Sequence, residues 1–279
     1  MTINCKGRLI DLSTPKIMGV LNITPDSFYD GGKFKEPSSI LKQVERLLNE
    51  GATFIDLGAY SSRPGAEHVV EDEELHRLLP VINLILNEFP DSLLSIDTFR
   101  AKVANKCLQL GAALINDISA GNLDPNILEV VAEHRAPYIM MHMKGTPQNM
   151  KDLTDYEDLI ADLISYFSER IATARSKMIN DIIVDPGFGF AKTTPQNFQL
   201  LAHFKLFKTF DLPLLAGLSR KSMIYKTLKS NPSEALNGTT ALHIVALLNG
   251  ASILRVHDAK EANECITLFK ELRANMVSP

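Results

Sequence analysis

IMGVLN at positions 17–22 and TFIDLG at 53–58 flank SSILKQVERLLNEG at 38–51. The two short runs are rich in Ile, Val and Leu, as strands buried on both faces tend to be. The segment between them has apolar residues at helical spacing, namely Ile40, Leu41, Val44, Leu47 and Leu48. Ser38 or Ser39 can cap this helix, and Gly51 can end it. The pattern predicts a strand, a helix and a second, parallel strand.

The same alternation continues along the chain. Six further short apolar runs lie at 93–97, 113–117, 137–143, 181–186, 213–219 and 253–257. The clearest helical segments lie at 156–174, 232–250 and 259–274. Eight buried strands with helices between them predict an α/β fold of the (β/α)8, or TIM-barrel, type, with a doubly wound open sheet as the alternative. We expect one domain, with a short N-terminal β-hairpin at 1–16 that plugs the lower end of a barrel at 17–274.

Composition limits the possible functions. The 279 residues are 45% hydrophobic and 22% charged, which is ordinary for a globular protein. A formal net charge of -4 provides no overall attraction to nucleic acid or to an anionic membrane. Cys5, Cys107 and Cys265 form no CxxC pair, which argues against a disulfide framework and a zinc site. The sequence shows no signal peptide or membrane span, so we expect a cytoplasmic protein.

Polar side chains recur where the predicted strands end. They are Asn22, Asp56, Asp97, Asn116, His142, Asp185, Ser219, Arg255 and His257. Each one alone could be a helix cap or a turn residue. In a barrel, however, the carboxyl ends of all strands meet at one mouth. The recurrence therefore predicts a binding site there.

Three loops suggest what binds at this mouth. The loop at 58–69 places Arg63 before a Pro-Gly turn, which suits a phosphate, although a solvated turn is the ordinary alternative. GLSRKSM at 217–223 sets Ser219, Arg220, Lys221 and Ser222 at a strand-to-helix junction, where an anion is favoured. DPGFGFAKT at 185–193 combines a carboxylate with glycines and with Phe188 and Phe190 as flat apolar surfaces. Together with Asp97 and Asn116 it suggests a pocket for an aromatic heterocycle with N–H donors.

Eight motifs follow one another over nearly the whole chain: MGVLNITPDSFYDGG, SSRPGA, SIDTFR, INDISAG, MHMKGTP, DPGFGFAKT, GLSRKSM and RVHD. Taken together and in this order, they resemble the signatures of the dihydropteroate synthase family of pterin-binding enzymes. Ala59, Tyr60 and Ser62 stand where the family usually reads Gly, Glu and Thr, and Tyr29 stands where a small residue is more usual. Tyr60 in place of an acid removes a negative charge from this loop, so the resemblance does not determine the loop's closed conformation, although it still implies the same chemistry.

The resemblance implies a transferase that joins (7,8-dihydropterin-6-yl)methyl diphosphate to 4-aminobenzoate in folate biosynthesis and releases pyrophosphate. It implies catalytic roles for Arg63, Asp97, Asp185 and Lys221. The implied pterin pocket comprises Asp97, Asn116, Met141, Asp185, Phe190, Gly217 and Lys221. The diphosphate is expected at Ser61, Ser62, Arg63, Arg255 and His257, with Mg²⁺ at Asn22.

For the second substrate, the resemblance implies a 4-aminobenzoate site at Pro64, Phe190, Lys221 and Ser222. Sulfonamides are expected to compete there because they imitate that substrate. A homodimer built on the later helices is also expected. Two other functions stay open: a methyltetrahydrofolate-dependent methyltransferase, which would need no diphosphate site, and a pterin-binding protein without catalysis.

Overall fold

The computed structural model describes residues 1–23, 29–30, 33–34, 37–60 and 69–276. Eight parallel strands form its central sheet. They are β3 (Lys16–Asn22), β6 (Phe54–Gly58), β7 (Leu93–Asp97), β8 (Leu114–Asp117), β9 (Tyr138–Met141), β10 (Ile182–Asp185), β11 (Leu215–Ala216) and β12 (Ile253–Val256). The remaining strands are β1 (Thr2–Cys5), β2 (Arg8–Asp11), β4 (Tyr29–Asp30) and β5 (Lys33–Phe34), which pair as two antiparallel hairpins.

The parallel sheet closes on itself. Its hydrogen-bonded order is β10, β9, β8, β7, β6, β3, β12 and β11. A parallel bridge between Val184 and Leu214 then joins its two ends, and the amide of Val184 donates to the carbonyl of Pro213 at 2.9 Å. The predicted (β/α)8 barrel is therefore confirmed, and the open doubly wound sheet is excluded.

Helices follow the barrel strands along the chain. They are α1 (Pro37–Asn49), α2 (Glu71–Glu88), α3 (Ala101–Gln109), α4 (Asn126–His134), α5 (Leu159–Ser176), α6 (Thr194–Ala202), α7 (Ser222–Thr227), α8 (Leu236–Leu248) and α9 (Ala259–Met276). Short 3-10 turns occur at Met150–Asp152, Phe204–Phe210 and Pro232–Glu234. No helix of these described segments is both long enough and apolar enough to cross a membrane.

The boundaries of three elements differ from the sequence prediction. Helix α1 begins at Pro37, so Ser38 and Ser39 lie inside its first turn, because proline suits the first helical position. Helix α5 begins only at Leu159, because the carboxylate of Asp158 caps it. The strand predicted at 213–219 is reduced to Leu215–Ala216.

The hydrophobic core has an inner and an outer part. The larger part fills the space between the strands and the surrounding helices. The smaller part lies inside the barrel, where Ile3, Cys5, Ile10 and Leu12 of the N-terminal segment pack on inward-facing residues such as Phe54 and Ile183. The hairpin of β1 and β2 therefore plugs one end of the barrel, as predicted. The carboxyl ends of the strands are left as the accessible mouth.

Candidate active site

Four polar side chains from four different strands form a connected network in the mouth. Arg255 of β12 donates from Nε to Oδ2 of Asp56 at 2.6 Å and from Nη2 to Oδ2 of Asp97 at 2.8 Å. Asn116 of β8 donates from Nδ2 to Oδ2 of Asp56 at 3.2 Å. Asp56 is fully buried, so the hydrogen bonds from Arg255 and Asn116 stabilise a carboxylate that water does not reach. Asp97, Asn116 and Arg255 are thus brought together as predicted.

This network contains two carboxylates and one cation. Burial raises the pKa of Asp97 to about 7, with Arg255 lowering it and Asp56 raising it again. Burial lowers the pKa of Arg255, but Asp56 and Asp97 raise it by more, so the guanidinium stays charged. The mouth therefore has a fixed cation beside an excess of carboxylate, which favours a ligand that brings hydrogen-bond donors or positive charge.

Asp185 and Lys221 form the second polar group of the site. Asp185 ends β10 and is buried, and its Oδ1 accepts from the amide of Gly187 at 2.8 Å. Burial raises its pKa, and Lys221 opposes that shift. Burial lowers the pKa of Lys221 to about 8, while Asp185 raises it. The ammonium of Lys221 donates to the carbonyl of Phe188 and lies 4.7 Å from the centre of the Phe190 ring.

An apolar wall lies next to these charges. Met141 and Phe190 belong to one cluster with Ile118, Met143 and Ala191, and Met141 pairs in register with Asp185. Gly217 is buried, yet a Cβ atom added to it would meet nothing within 4 Å, so it borders open space. Phe188 was also expected to offer a flat surface to the ligand, but it is fully buried, and its ring centre lies 5.8 Å from that of Phe204, on which it stacks. Phe188 therefore belongs to the core and not to the wall.

The strand-to-helix junction at 217–223 contains both site and structural residues. Oγ of Ser219 lies 3.0 Å from Nδ1 of His257. This hydrogen bond joins the segments that follow β11 and β12. Ser222 is the first residue of α7. Arg220, however, donates to both oxygens of Asp258 at 2.8 Å and to the carbonyls of Pro232 and Ser233. Its guanidinium therefore bonds to groups within the fold, and anion binding at this junction stays a prediction.

Asn22 lies beside the central network. It ends β3 and pairs in register with Gly58. A Cβ atom added to Gly58 would lie 3.6 Å from Oδ1 of Asn22 and 3.6 Å from Cβ of Asp97. The predicted residues Ser61, Ser62, Arg63 and Pro64 lie outside the described residues.

The two residues that flank positions 61–68 both contact Arg100. Its guanidinium lies 5.4 Å from the centre of the Tyr60 ring, and its Nη2 donates to the carbonyl of Val69 at 2.6 Å. The hydroxyl of Tyr60 accepts from Nε2 of Gln148 at 2.6 Å. Arg100 also pairs with the buried Glu74. Tyr60 is thus buried, and the carboxylate that pairs with Arg100 comes from Glu74.

Sequence reasoning assigned no role to Asp56 or Lys192. Asp56 was among the strand-end residues, and the apolar sequence on both sides of it was the signal that its carboxylate would be buried and would need a cation. Lys192 lies within DPGFGFAKT and is also buried. Its ammonium contacts the carbonyls of Gly187 and Phe190 in the same loop and the ring of the distant His142, and no sequence pattern indicates that the side chain folds back under its own loop.

The comparisons with known proteins agree with this geometry. The family model described as pterin binding enzyme matches residues 18–257. Dihydropteroate synthase of Escherichia coli K12 is 42% identical over 272 residues, covering 97% of this chain and 96% of that protein. The Synechocystis enzyme of the same name is 47% identical over 247 residues, covering 88% of this chain and 85% of that protein.

Solved structures extend the likeness to three dimensions. The Yersinia pestis dihydropteroate synthase in a sulfonamide drug complex superposes with a TM-score of 0.92 at 42% identity, covering 98% of this chain and 100% of that one. The Xanthomonas albilineans dihydropteroate synthase with 4-aminobenzoic acid superposes with a TM-score of 0.90 at 38% identity, covering 100% of this chain and 99% of that one. The chain belongs to the pterin binding enzyme family and, within it, to the dihydropteroate synthases.

Proposed function

We propose that this chain joins (7,8-dihydropterin-6-yl)methyl diphosphate to 4-aminobenzoate, giving 7,8-dihydropteroate and pyrophosphate. The observation that carries the proposal is the meeting of buried acceptors, Asp185 and Asn116, with the cations Lys221 and Arg255 at one end of the barrel. Such a mouth offers acceptors to a pterin ring and positive charge to its diphosphate. The relatives' names and the bound 4-aminobenzoic acid and pteroic acid in two solved relatives support the same substrates.

The pterin ring is held by groups of complementary polarity. Asn116 donates from Nδ2 to Asp56, so its Oδ1 points to the other side of the amide, where it can accept from the pterin ring. Asp185 accepts from the amino group and the ring N–H, Asp97 completes the polar edge, and Lys221 donates to the ring carbonyl. Met141 and Phe190 cover the faces of the ring, and Gly217 leaves room for it. A ring without these donors would leave buried acceptors unpaired, at about 1–3 kcal/mol each.

The leaving group requires positive charge. We assign the diphosphate to Ser61, Ser62, Arg63, Arg255 and His257. Nε and Nη2 of Arg255 are used by Asp56 and Asp97. Among the described residues no acceptor is paired with Nη1, so this nitrogen can donate to the anion. Arg255 thereby links the carboxylates of the ring pocket to the departing phosphate.

Asn22 fits a Mg²⁺ ion that is bound mainly by other ligands. In the described part of the chain, no three His, Cys, Asp or Glu side chains are grouped to hold a metal. Asn22 supplies one hard oxygen near Asp97, and Mg²⁺ commonly takes its remaining ligands from phosphates and water. When bound, the ion would neutralise charge on the diphosphate and make it a better leaving group.

The reaction exchanges one bond for another at the methylene carbon. The C–O bond to the diphosphate breaks, the amine of 4-aminobenzoate donates its electron pair to form a C–N bond, and the amine loses a proton. Positive charge develops on the methylene and the dihydropterin as the C–O bond breaks. We assign the stabilisation of this charge to the carboxylates of Asp97 and Asp185. Positioning and electrostatics then supply the catalysis without a covalent enzyme intermediate.

The 4-aminobenzoate lies against Pro64, Phe190 and Lys221, with its carboxylate at Ser222. Sulfonamides compete for this subsite because they share its shape and charge, and the Yersinia pestis relative is described in a sulfonamide complex. We also propose a cytoplasmic homodimer. The apolar side chains Val245 and Leu248 of α8 and Leu268 and Leu272 of α9 are exposed, which supports a self-association surface on the later helices.

A turnover assay tests the proposal. Purified protein with both substrates and Mg²⁺ is expected to release pyrophosphate in step with dihydropteroate, and omission of 4-aminobenzoate or Mg²⁺ should suppress both products. Methyl transfer from methyltetrahydrofolate without pyrophosphate release would instead favour the methyltransferase. Tight pterin binding with neither reaction would favour the non-catalytic binding protein.

A further inference from the structure

The loop between β10 and α6 passes through three left-handed residues, two of them glycines, which adopt this conformation readily, and one of them an alanine, which does not. Gly187 has φ of 76°, Gly189 has 82° and Ala191 has 48°, so three residues in five lie in the left-handed region. For an alanine this costs roughly 1–2 kcal/mol. A Cβ atom added to Gly187 would lie 2.2 Å from the carbonyl oxygen of His142. Such a backbone persists only where its surroundings hold it.

The ammonium of Lys192 supplies one such support from beneath the loop. It lies 3.0 Å from each of three acceptors: the carbonyl of Gly187, the carbonyl of Phe190 and Nδ1 of His142. An ammonium has three N–H donors, so all of them are used. Among the described residues no carboxylate is paired with this nitrogen, although Lys192 is only 7% exposed. Burial lowers the pKa of Lys192 to about 7, while the charge of Asp185 raises it; in its ammonium form all three donors fix the backbone of the loop and the ring of His142.

When Lys192 is an ammonium, Nδ1 of His142 accepts from it, which corresponds to the neutral tautomer with its proton on Nε2. Burial lowers the pKa of His142 to about 2, and the charge of Lys192 lowers it further. The ring also packs edge-to-face on Tyr166 at 4.8 Å. The imidazole is thus a fixed acceptor that orients Lys192.

Asn197 of α6 supplies the second support. Its Oδ1 accepts from the amide of Gly189 at 2.6 Å. Its Nδ2 donates to the carbonyls of Lys192 at 3.1 Å and Thr193 at 2.7 Å. The side chain is buried, so these bonds do not compete with water.

We propose that Lys192 and Asn197 are positioning residues that hold the loop in the shape the pterin pocket requires. The inference rests on the proposed function, since it takes Asp185 and Phe190 as pocket residues. Gly187, whose carbonyl Lys192 holds, donates its amide to Oδ1 of Asp185 at 2.8 Å. Phe190, whose carbonyl Lys192 also holds, presents its ring to Lys221 at 4.7 Å. Neither Lys192 nor Asn197 needs to touch substrate.

Calorimetry with a pterin fragment that lacks the diphosphate tests this inference. Lys192→Met keeps the length of the side chain and removes the ammonium, and we expect the fragment to bind about tenfold more weakly or worse. Asn197→Leu removes all three bonds of that side chain, so it should also weaken fragment binding. His142→Asn retains an acceptor near the position of Nδ1 and should bind better than His142→Leu. In turnover, KM for the pterin diphosphate should rise by a larger factor than kcat falls.

Ile171→Ala in α5 is the control for lost stability, because Ile171 is a buried core residue outside the loop and makes none of the loop's hydrogen bonds. It should lower the unfolding midpoint without changing fragment affinity. The inference would be overturned if Lys192→Met bound the pterin fragment as tightly as the parent, or lost no more affinity than Ile171→Ala does. Turnover by the parent would still support the proposed function in that case. A parent that binds the fragment but releases no pyrophosphate would defeat the proposed function alone. A parent that does not bind the fragment would defeat both.

Discussion

In the proposed function, Asp185 is the residue whose chemistry most directly decides pterin recognition. One of its oxygens already accepts from the amide of Gly187. In Asp185→Asn the remaining amide oxygen can keep that bond, which turns the NH2 group toward the ring's own donors. We expect the pterin fragment to bind roughly ten- to a hundredfold more weakly, at about 1.5–3 kcal/mol for a lost bond to a charged group. Affinity for 4-aminobenzoate should change little.

Calorimetry on the variant and the parent measures this difference. Asp181→Asn is the matched control, because Asp181 lies just before the other end of β10 and accepts from the amide of Asn4 in the N-terminal hairpin. It should leave fragment affinity unchanged. Equal fragment affinity in Asp185→Asn and the parent would remove Asp185 from the pocket.

Sequence patterns locate the site residues better than they describe the partnerships between them. Because barrel strands end at one mouth, strand ends alone predict that Asp97, Asn116 and Arg255 lie together. They do not show that Asp56 lies between Arg255 and Asn116, because that depends on register across separate strands. Nor do they separate Phe190, which lines the wall, from Phe188, which packs in the core: the left-handed glycines of this loop set the two directions.

Among the elements, helix α5 offers a clean test of local structure. Oδ1 of Asp158 accepts from the amides of Ile160 at 3.0 Å and Ala161 at 3.1 Å. Asp158→Ala removes this cap and should lower the free energy of unfolding by about 1 kcal/mol. Asp158→Asn keeps an acceptor and should lose less, since only the attraction between the carboxylate and the helix dipole is lost.

Urea denaturation with an unchanged m-value is the measurement for this cap. Turnover should be unaffected in both variants, because Asp158 is exposed and belongs to no part of the proposed site. Identical stability of the alanine variant and the parent would show that the first turn of α5 does not depend on its cap.

Most elements were predictable because hydrophobic periodicity is strong over their lengths, and the exceptions have local causes. The run at 213–219 is largely apolar, but only Leu215–Ala216 forms strand, since Pro213 has no N–H and the chain then leaves the sheet toward α7. Helix α1 begins at Pro37, ahead of the serines that resemble caps. Ring closure between β10 and β11 rests on a single bridge, which no pattern in either segment specifies.

At the scale of the whole molecule, the barrel presents polar groups at its mouth and apolar groups on part of its outer surface. In α8, Val245 is 36% and Leu248 is 48% exposed, and in α9, Leu268 is 66% and Leu272 is 46% exposed. Residues three or four apart share a helix face. The two helices also pack on each other, as the bond from Cys265 to the carbonyl of Thr240 shows. These four side chains form the surface on which we expect two copies to associate.

Sedimentation equilibrium should give twice the chain mass of 30.9 kDa for the parent. The double variant Leu268→Glu with Leu272→Glu places two like charges in that surface and should sediment as a monomer, because burying unpaired carboxylates costs more than the apolar contact returns. Leu110→Glu is the matched control: Leu110 is 36% exposed at the end of α3, between β7 and β8, which lie across the barrel from β11 and β12, and this variant should remain a dimer. The pterin fragment should still bind the monomeric variant, since the pocket is built from strand ends and the loops that follow them. A parent that sediments at the mass of one chain would contradict the dimer, and loss of fragment binding in a folded monomer would show that the pocket depends on the second copy.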